Sequence, residues 1–187
     1  MDSSGVAAPA VSRAADVRLG ERGTRAVVVL APVAAALPLA RFGLSADGFI
    51  GALFAVVLVY IAFFDLEHRL IPNRVVLPAT AAVLALQIAL HPDRALEHVG
   101  AALGAAGFFF AVALVYPPGL GMGDVKLALL LGAMLGTAVV GAILVATIAA
   151  GVVGGVLMLR YGAQARKRAI PFGPFLALGG MIALLVS

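Results

Sequence analysis

Residues 127–159 run for 33 positions without one charged side chain. As a single helix they would extend about 50 Å at ~1.5 Å per residue. The hydrocarbon core of a bilayer is only ~30 Å thick. The run is too long for one crossing and too apolar for a soluble surface, so it reads as two membrane helices broken near Gly136 and Thr137. Further apolar runs lie at about 26–44, 49–64, 75–90, 99–116 and 170–186. With the split run at 127–136 and 138–159, the chain reads as all-α, a multi-pass membrane helix bundle of about seven transmembrane helices. Composition agrees. Hydrophobic residues make up 63% of the chain and charged residues 12%, too little polar surface to coat a soluble domain.

Residues 1–25 are polar, Ala-rich and basic, and read as a flexible cytoplasmic tail; residues 26–187 read as one integral membrane domain. A cleaved signal peptide fits poorly, because the first apolar run is longer than a usual signal core and no cleavage site closes it. With the N-terminus inside, the inner segments hold Arg13, Arg18, Arg22, Arg25, Arg69, Arg74, Lys126, Arg160, Arg166, Lys167 and Arg168. The outer loops hold only Arg41 and Arg94. That bias sets orientation by the positive-inside rule and implies a plasma or inner membrane location with a cytoplasmic N-terminus. The net charge of +4 does not indicate nucleic acid, because the basic residues sit between apolar runs and form no single face. There is no cysteine, which excludes thiolate metal sites and cysteine nucleophiles.

Two acids stand at the lips of apolar runs. Asp65 closes the second, in FFDLEHRLIPN, and Asp124 opens the fifth, in GMGDVKLALLLG. Two spans separate them, so both belong on one side of the membrane, which the charge bias makes cytoplasmic. Acids at membrane depth are costly and usually functional. Two carboxylates near one water can hydrolyse a peptide. One, ionised, takes a proton from the attacking water, and the other, protonated, hydrogen-bonds the carbonyl, a split that close like charges enforce. This chemistry needs no metal and no cofactor. From spacing alone the alternative stands that Asp124 caps a helix and Asp65 is an interfacial acid near Arg69.

The motifs decide between these readings by resemblance. DLEHRLIPN and GMGDVKL resemble the signature motifs of the type IV prepilin leader peptidases, membrane aspartyl proteases of the GxGD class. The first pairs Asp65 with the turn Ile71-Pro72-Asn73, and the second is Gly121, Gly123, Asp124 and Lys126. A third patch, IPFGP at 170–174, resembles the segment before the family's last helix. Asp65 and Asp124 are then the expected catalytic pair. The implied activity is endoproteolysis of a prepilin or pseudopilin substrate, a short basic leader joined to an apolar helix, at the cytoplasmic boundary. Longer members carry a cysteine-bearing cytoplasmic domain between the first two spans and also methylate the product. Here that stretch is RFGLSADG, so the resemblance is to the short, peptidase-only form.

Gly121 and Gly123 are expected to let the substrate backbone approach Asp124. Lys126 is read as binding substrate or tuning Asp124, with snorkelling to lipid phosphate as the alternative. Glu67 lies about 200° around a helix from Asp65, facing away. His68 reads as a loop histidine, and His91, Asp93, Glu97 and His98 read as a solvated outer loop. Gly-x-x-x-Gly pairs at 100/104, 132/136 and 151/155 are expected to serve helix packing. A proton-coupled transporter and a non-catalytic pilus-assembly protein are the competing functions. A transporter predicts midplane carboxylates and an inverted repeat, and neither is seen in the sequence.

Overall fold

The computed structural model describes residues 18–116, 120–162 and 171–187. They form α1 (Glu21–Phe42), α2 (Ala46–His68), α3 (Asn73–Leu90), α4 (Ala95–Val115), α5 (Met122–Leu135), α6 (Val139–Tyr161) and α7 (Gly173–Val186), with no strand among the described residues. Arg166, Lys167, Arg168 and Ile170 lie outside the described residues. The fold is an all-α membrane bundle. Its exterior is apolar, with Leu159 90% and Val115 85% exposed, the pattern of helices that meet lipid.

The charge-free run forms two helices, α5 and α6, joined by a 3₁₀ turn at Gly136–Ala138. Gly136 has φ 55, a left-handed conformation that glycine adopts without a steric penalty. The lengths differ from an even division. α5 has 14 residues, about 21 Å, and α6 has 23. α7 also has 14. Five stretches meet the length and apolarity of a crossing, one of them the joined run Met122–Tyr161. Seven α-helices are present among the described residues, and five stretches, not seven, have the length and apolarity of a crossing.

α5 can be short because protein surrounds it. Nine of its 14 residues are buried, among them Leu127, Leu130 and Leu131. It packs against α3, α4 and α7, while α1 lies on α2 and α6 on α7. Close approaches explain particular glycines. A Cβ at Gly132 would lie 2.5 Å from the Ala101 carbonyl of α4, and one at Gly51 2.9 Å from Pro38 of α1. Gly179 meets the backbone of α6 at Ala142. By contrast Gly100, Gly104, Gly151 and Gly155 face open space. Of the three Gly-x-x-x-Gly pairs only 132/136 is used, once for packing and once for the turn. With 22 glycines in the chain, the spacing alone could not single it out.

The helices also begin earlier than the apolar runs, because polar residues occupy their first turns. α1 starts at Glu21, inside the stretch read as tail. α4 starts at Ala95, led in by a 3₁₀ turn at Pro92–Arg94. Glu97 and His98 therefore sit on a helix, with His98 buried. This corrects their reading as a solvated loop. His98 is buried because its Nδ1–H donates to the Ala133 carbonyl at the end of α5, 3.1 Å away.

Candidate active site

Asp65 lies one turn inside the end of α2, not at its edge. The helix runs on to His68 and closes at Arg69, whose N–H donates to the Asp65 carbonyl at 2.8 Å. Arg69 has φ 52 and is the one non-glycine residue with positive φ among those described. The Asp65 side chain is buried. Its Oδ2 accepts the Gly173 N–H from the first turn of α7 at 3.1 Å.

Asp124 stands at the third position of α5, after an extended Gly121 that caps the helix. Its Oδ2 reaches back to accept the Gly121 N–H at 3.1 Å. This is the acidic half of a capping box, and the helix N-terminus favours its charge. The capping alternative is therefore part of the geometry, but it occupies only one side of the carboxylate.

Both carboxylates line one cavity of about 310 Å³, together with Arg69, Leu70, Ile71, Asn73, Gly121, Met122, Gly123 and Lys126. The two sequence motifs thus meet: DLEHRLIPN supplies one wall and GMGDVK the other. One contact between the walls is Ile71 against Gly123, where a Cβ would stand 3.0 Å from the Ile71 Cβ. The missing side chain at Gly123 makes room for the turn, and the residue also lines the cavity. Gly121 is exposed, with the Asp124 carboxylate and the Gly123 nitrogen near its open side at ordinary contact distance. Lys126 Nζ donates to Asn73 Oδ1 at 2.7 Å, tying α5 to the start of α3.

The remaining candidates are engaged elsewhere. Glu67 Oε2 accepts the Gly20 N–H at 2.8 Å and so caps α1. His68 is the last residue of α2, its ring 4.5 Å from that of Phe64. His91 pairs with Asp47 at 2.9 Å at the opposite end of the bundle. No group of His, Cys, Asp and Glu suited to a metal ion occurs among the described residues. What the sequence reading missed is Gly173. The IPFGP patch was visible, but nothing in one sequence says that its glycine meets an acid 108 residues away.

Comparison with known proteins adds an independent line. The pattern of the type IV leader peptidase family matches residues 52–159, a segment that includes both aspartates. The chain is 30% identical over 147 residues to the prepilin leader peptidase/N-methyltransferase of Bacillus subtilis, covering 78% of this chain and 58% of that protein. It is 32% identical to the proteins of the same name from Stutzerimonas stutzeri and Pseudomonas aeruginosa, covering 68% of this chain and 46% of each of them. The chain thus spans about half the length of these relatives. No solved structure matches it.

Proposed function

This chain belongs to the type IV leader peptidase family, and from that premise we propose that it is a membrane aspartyl endopeptidase with Asp65 and Asp124 as its catalytic pair. Its substrates are prepilin-like or pseudopilin chains, cleaved at the cytoplasmic face. The observation that carries the reading is that the family segment brings two carboxylates into one cavity. The relatives' names supply the substrate class, and the excess of Arg and Lys at that end of the bundle supports the cytoplasmic face.

The reaction follows from the pair. One carboxyl is ionised and one protonated, as adjacent acids require. The ionised one takes a proton from a water in the cavity, and the water oxygen attacks the scissile carbonyl carbon. The protonated one donates a hydrogen bond to the carbonyl oxygen, and its proton is transferred as the tetrahedral intermediate forms. The intermediate collapses with cleavage of the C–N bond: the amine leaves with a proton from the carboxyl that took it from water, and a hydroxyl of the intermediate returns its proton to the other carboxylate as the new carboxyl forms. An apolar substrate helix stays in the bilayer beside the bundle while its leader reaches the cavity. Gly121, open at the cavity edge, admits the substrate backbone, and Lys126 acts at the same edge.

The test is cleavage of a prepilin-like peptide by the chain reconstituted in lipid, read by mass spectrometry. Wild type is expected to release the leader, and Asp65→Asn and Asp124→Asn are expected to release none while inserting normally. Cleavage by either variant at a near wild-type rate would remove the mechanism. In the same assay with S-adenosylmethionine present, the product is expected without a methyl mass increment. Stoichiometric methylation would show that the peptidase-only reading is too narrow.

A further inference from the structure

We propose that Gly173 is a positioning residue for Asp65, acting through its backbone N–H and through the absence of a side chain. The inference rests on the catalytic assignment of Asp65 above. It begins with the free donors of α7. The first N–H groups of a helix have no partner within it. In α7 their fates can be followed one by one. The Phe175 and Leu176 N–H groups turn back to the Phe172 carbonyl at 3.0 and 3.1 Å. Pro174 has no N–H to place. The Gly173 N–H alone points away from the helix, and it meets Asp65 Oδ2 at 3.1 Å in a buried setting.

The same residue is the one that no side chain fits. A Cβ at 173 would stand 2.6 Å from Asp65 Oδ2 and 3.1 Å from its Cγ. The donor and the vacancy therefore serve one atom. The packing behind them fixes their place. Gly180 of α7 admits Leu131 of α5 and Leu58 of α2, and Leu176 is fully buried. α7 is thereby locked in register against the helix that carries Asp65 and the helix that carries Asp124.

Holding Oδ2 has a chemical consequence. No buried side-chain oxygen or nitrogen lacks a partner among the described residues. Asp65 Oδ1 has no partner among them, so it is the oxygen that reaches the cavity. Gly121 does the matching service for Oδ2 of Asp124, also at 3.1 Å. Each carboxyl has one oxygen held by a glycine amide and one left for water or substrate. A reacting group displaced by ~1 Å can lose on the order of 100-fold in rate. The inserted methyl must displace Asp65 or α7 by a distance of that kind.

The experiment separates the donor from the packing. In reconstituted full-length chain, Gly173→Ala is expected to lower kcat about 100-fold with KM within about 3-fold. Since that variant also crowds α2, a second one removes the donor without adding a side chain: glycolic acid at position 173, which replaces the amide N–H by an ester oxygen. The Phe172 carbonyl, now an ester's, accepts the Phe175 and Leu176 N–H groups more weakly, so the rate is read per folded molecule. A charge-assisted hydrogen bond of ordinary strength predicts a kcat per folded molecule lowered about 10-fold, with KM unchanged. Gly107→Ala, whose added Cβ meets nothing within 4 Å, serves as the control at wild-type rate. A wild-type kcat for the ester chain overturns the inference, as does a loss that follows the folded fraction alone. If Asp65→Asn cleaves in the same assay, the catalytic assignment itself fails and the inference falls with it. An inactive Asp65→Asn beside a fully active ester chain overturns the inference alone.

Discussion

The two ends of α5 hold similar residue types and use them in opposite ways. At its C-terminal end the last carbonyls need donors, as at any helix end. Gly136 N–H bonds the Gly132 carbonyl, His98 Nδ1–H the Ala133 carbonyl, and Gln87 Nε2–H the Met134 carbonyl. Glu97 accepts both the N–H and the hydroxyl of Thr137, closing the turn into α6. Polar atoms there hold a break between two apolar helices, with Glu97 making both of its bonds through Oε1. At the N-terminal end, Asp124 and Asp65 each accept one glycine N–H and keep a second oxygen that bonds nothing among the described residues. Polar groups inside an apolar bundle are costly unless paired. Groups engaged in closing a turn are explained by structure; two carboxylates with a free oxygen each in one cavity call for a function.

The largest break in this comparison comes from the N-terminal end. Asp65→Asn, Asp124→Asn and the double variant are each expected to lower kcat by about 1,000-fold or more, with the double no worse than the singles, as for groups that act as a unit. Thermal stability should hold in all three. If the double were worse by the product of the singles, the two acids would be acting separately and the shared-water mechanism would fail.

At the other end the effects should exchange places. His98→Leu leaves the Ala133 carbonyl without its donor in a buried setting, and Glu97→Ala strips both bonds from Thr137. The first, in a buried setting, is expected to cost about 1–3 kcal/mol of stability, and the second, where the bonds are exposed, about 0.5–1.5 kcal/mol. The cleavage rate per folded molecule should stay within about 2-fold of wild type, because an intact site carries the ~10³-fold effects. Denaturant or thermal unfolding in detergent, run beside the cleavage assay, measures both. A catalytic loss without a stability loss at His98 would show that this end is not merely structural.

How far the sequence could be read follows from the same physics. Runs of apolar residues declare helices, and the 33-residue run declared its own break, because a bilayer sets the length of a crossing. The aspartates were legible because a charge in an apolar run is conspicuous. Helix starts were not, since the first turns of α1 and α4 carry Glu21, Glu97 and His98 and so resemble loop. Contacts across the bundle were not legible either. Nothing local shows that Gly123 accommodates Ile71, that Lys126 reaches Asn73, or that Gly173 meets Asp65. In each case the partner lies far along the chain, and one sequence records no pairing.

Lys126 sharpens the boundary between the two kinds of use. Its amine is bonded to Asn73, yet both residues line the cavity. Lys126→Gln keeps a donor toward Asn73 and removes the charge, while Lys126→Met removes both. If the bridge matters, Gln should remain within about 3-fold of wild type and Met should lose about 10-fold, the range of one hydrogen bond to a charged group. Equal losses in the two variants would assign the effect to the charge and return Lys126 to direct substrate binding.

The smallest effect is expected at Glu67, two positions from Asp65, and it tests whether the right acid was chosen. Glu67 is exposed and accepts the Gly20 N–H at the start of α1, and a Cβ at Gly23 would stand 2.7 Å from its Cδ. It does not line the cavity that holds Asp65 and Asp124. Glu67→Gln keeps an oxygen that can accept the same N–H. It loses only the favourable charge at the helix N-terminus, worth about 0.3–1 kcal/mol. Cleavage should therefore remain within about 2-fold, and the thermal midpoint should fall by no more than a few degrees. Like Asp65, Glu67 accepts one glycine N–H, so its place outside the cavity, and not a lack of spare capacity, separates it from the acid with which it shares a helix turn. Loss of cleavage in a folded Glu67→Gln chain would break that distinction where the two acids are nearest in sequence. The catalytic pair would then have to be reassigned.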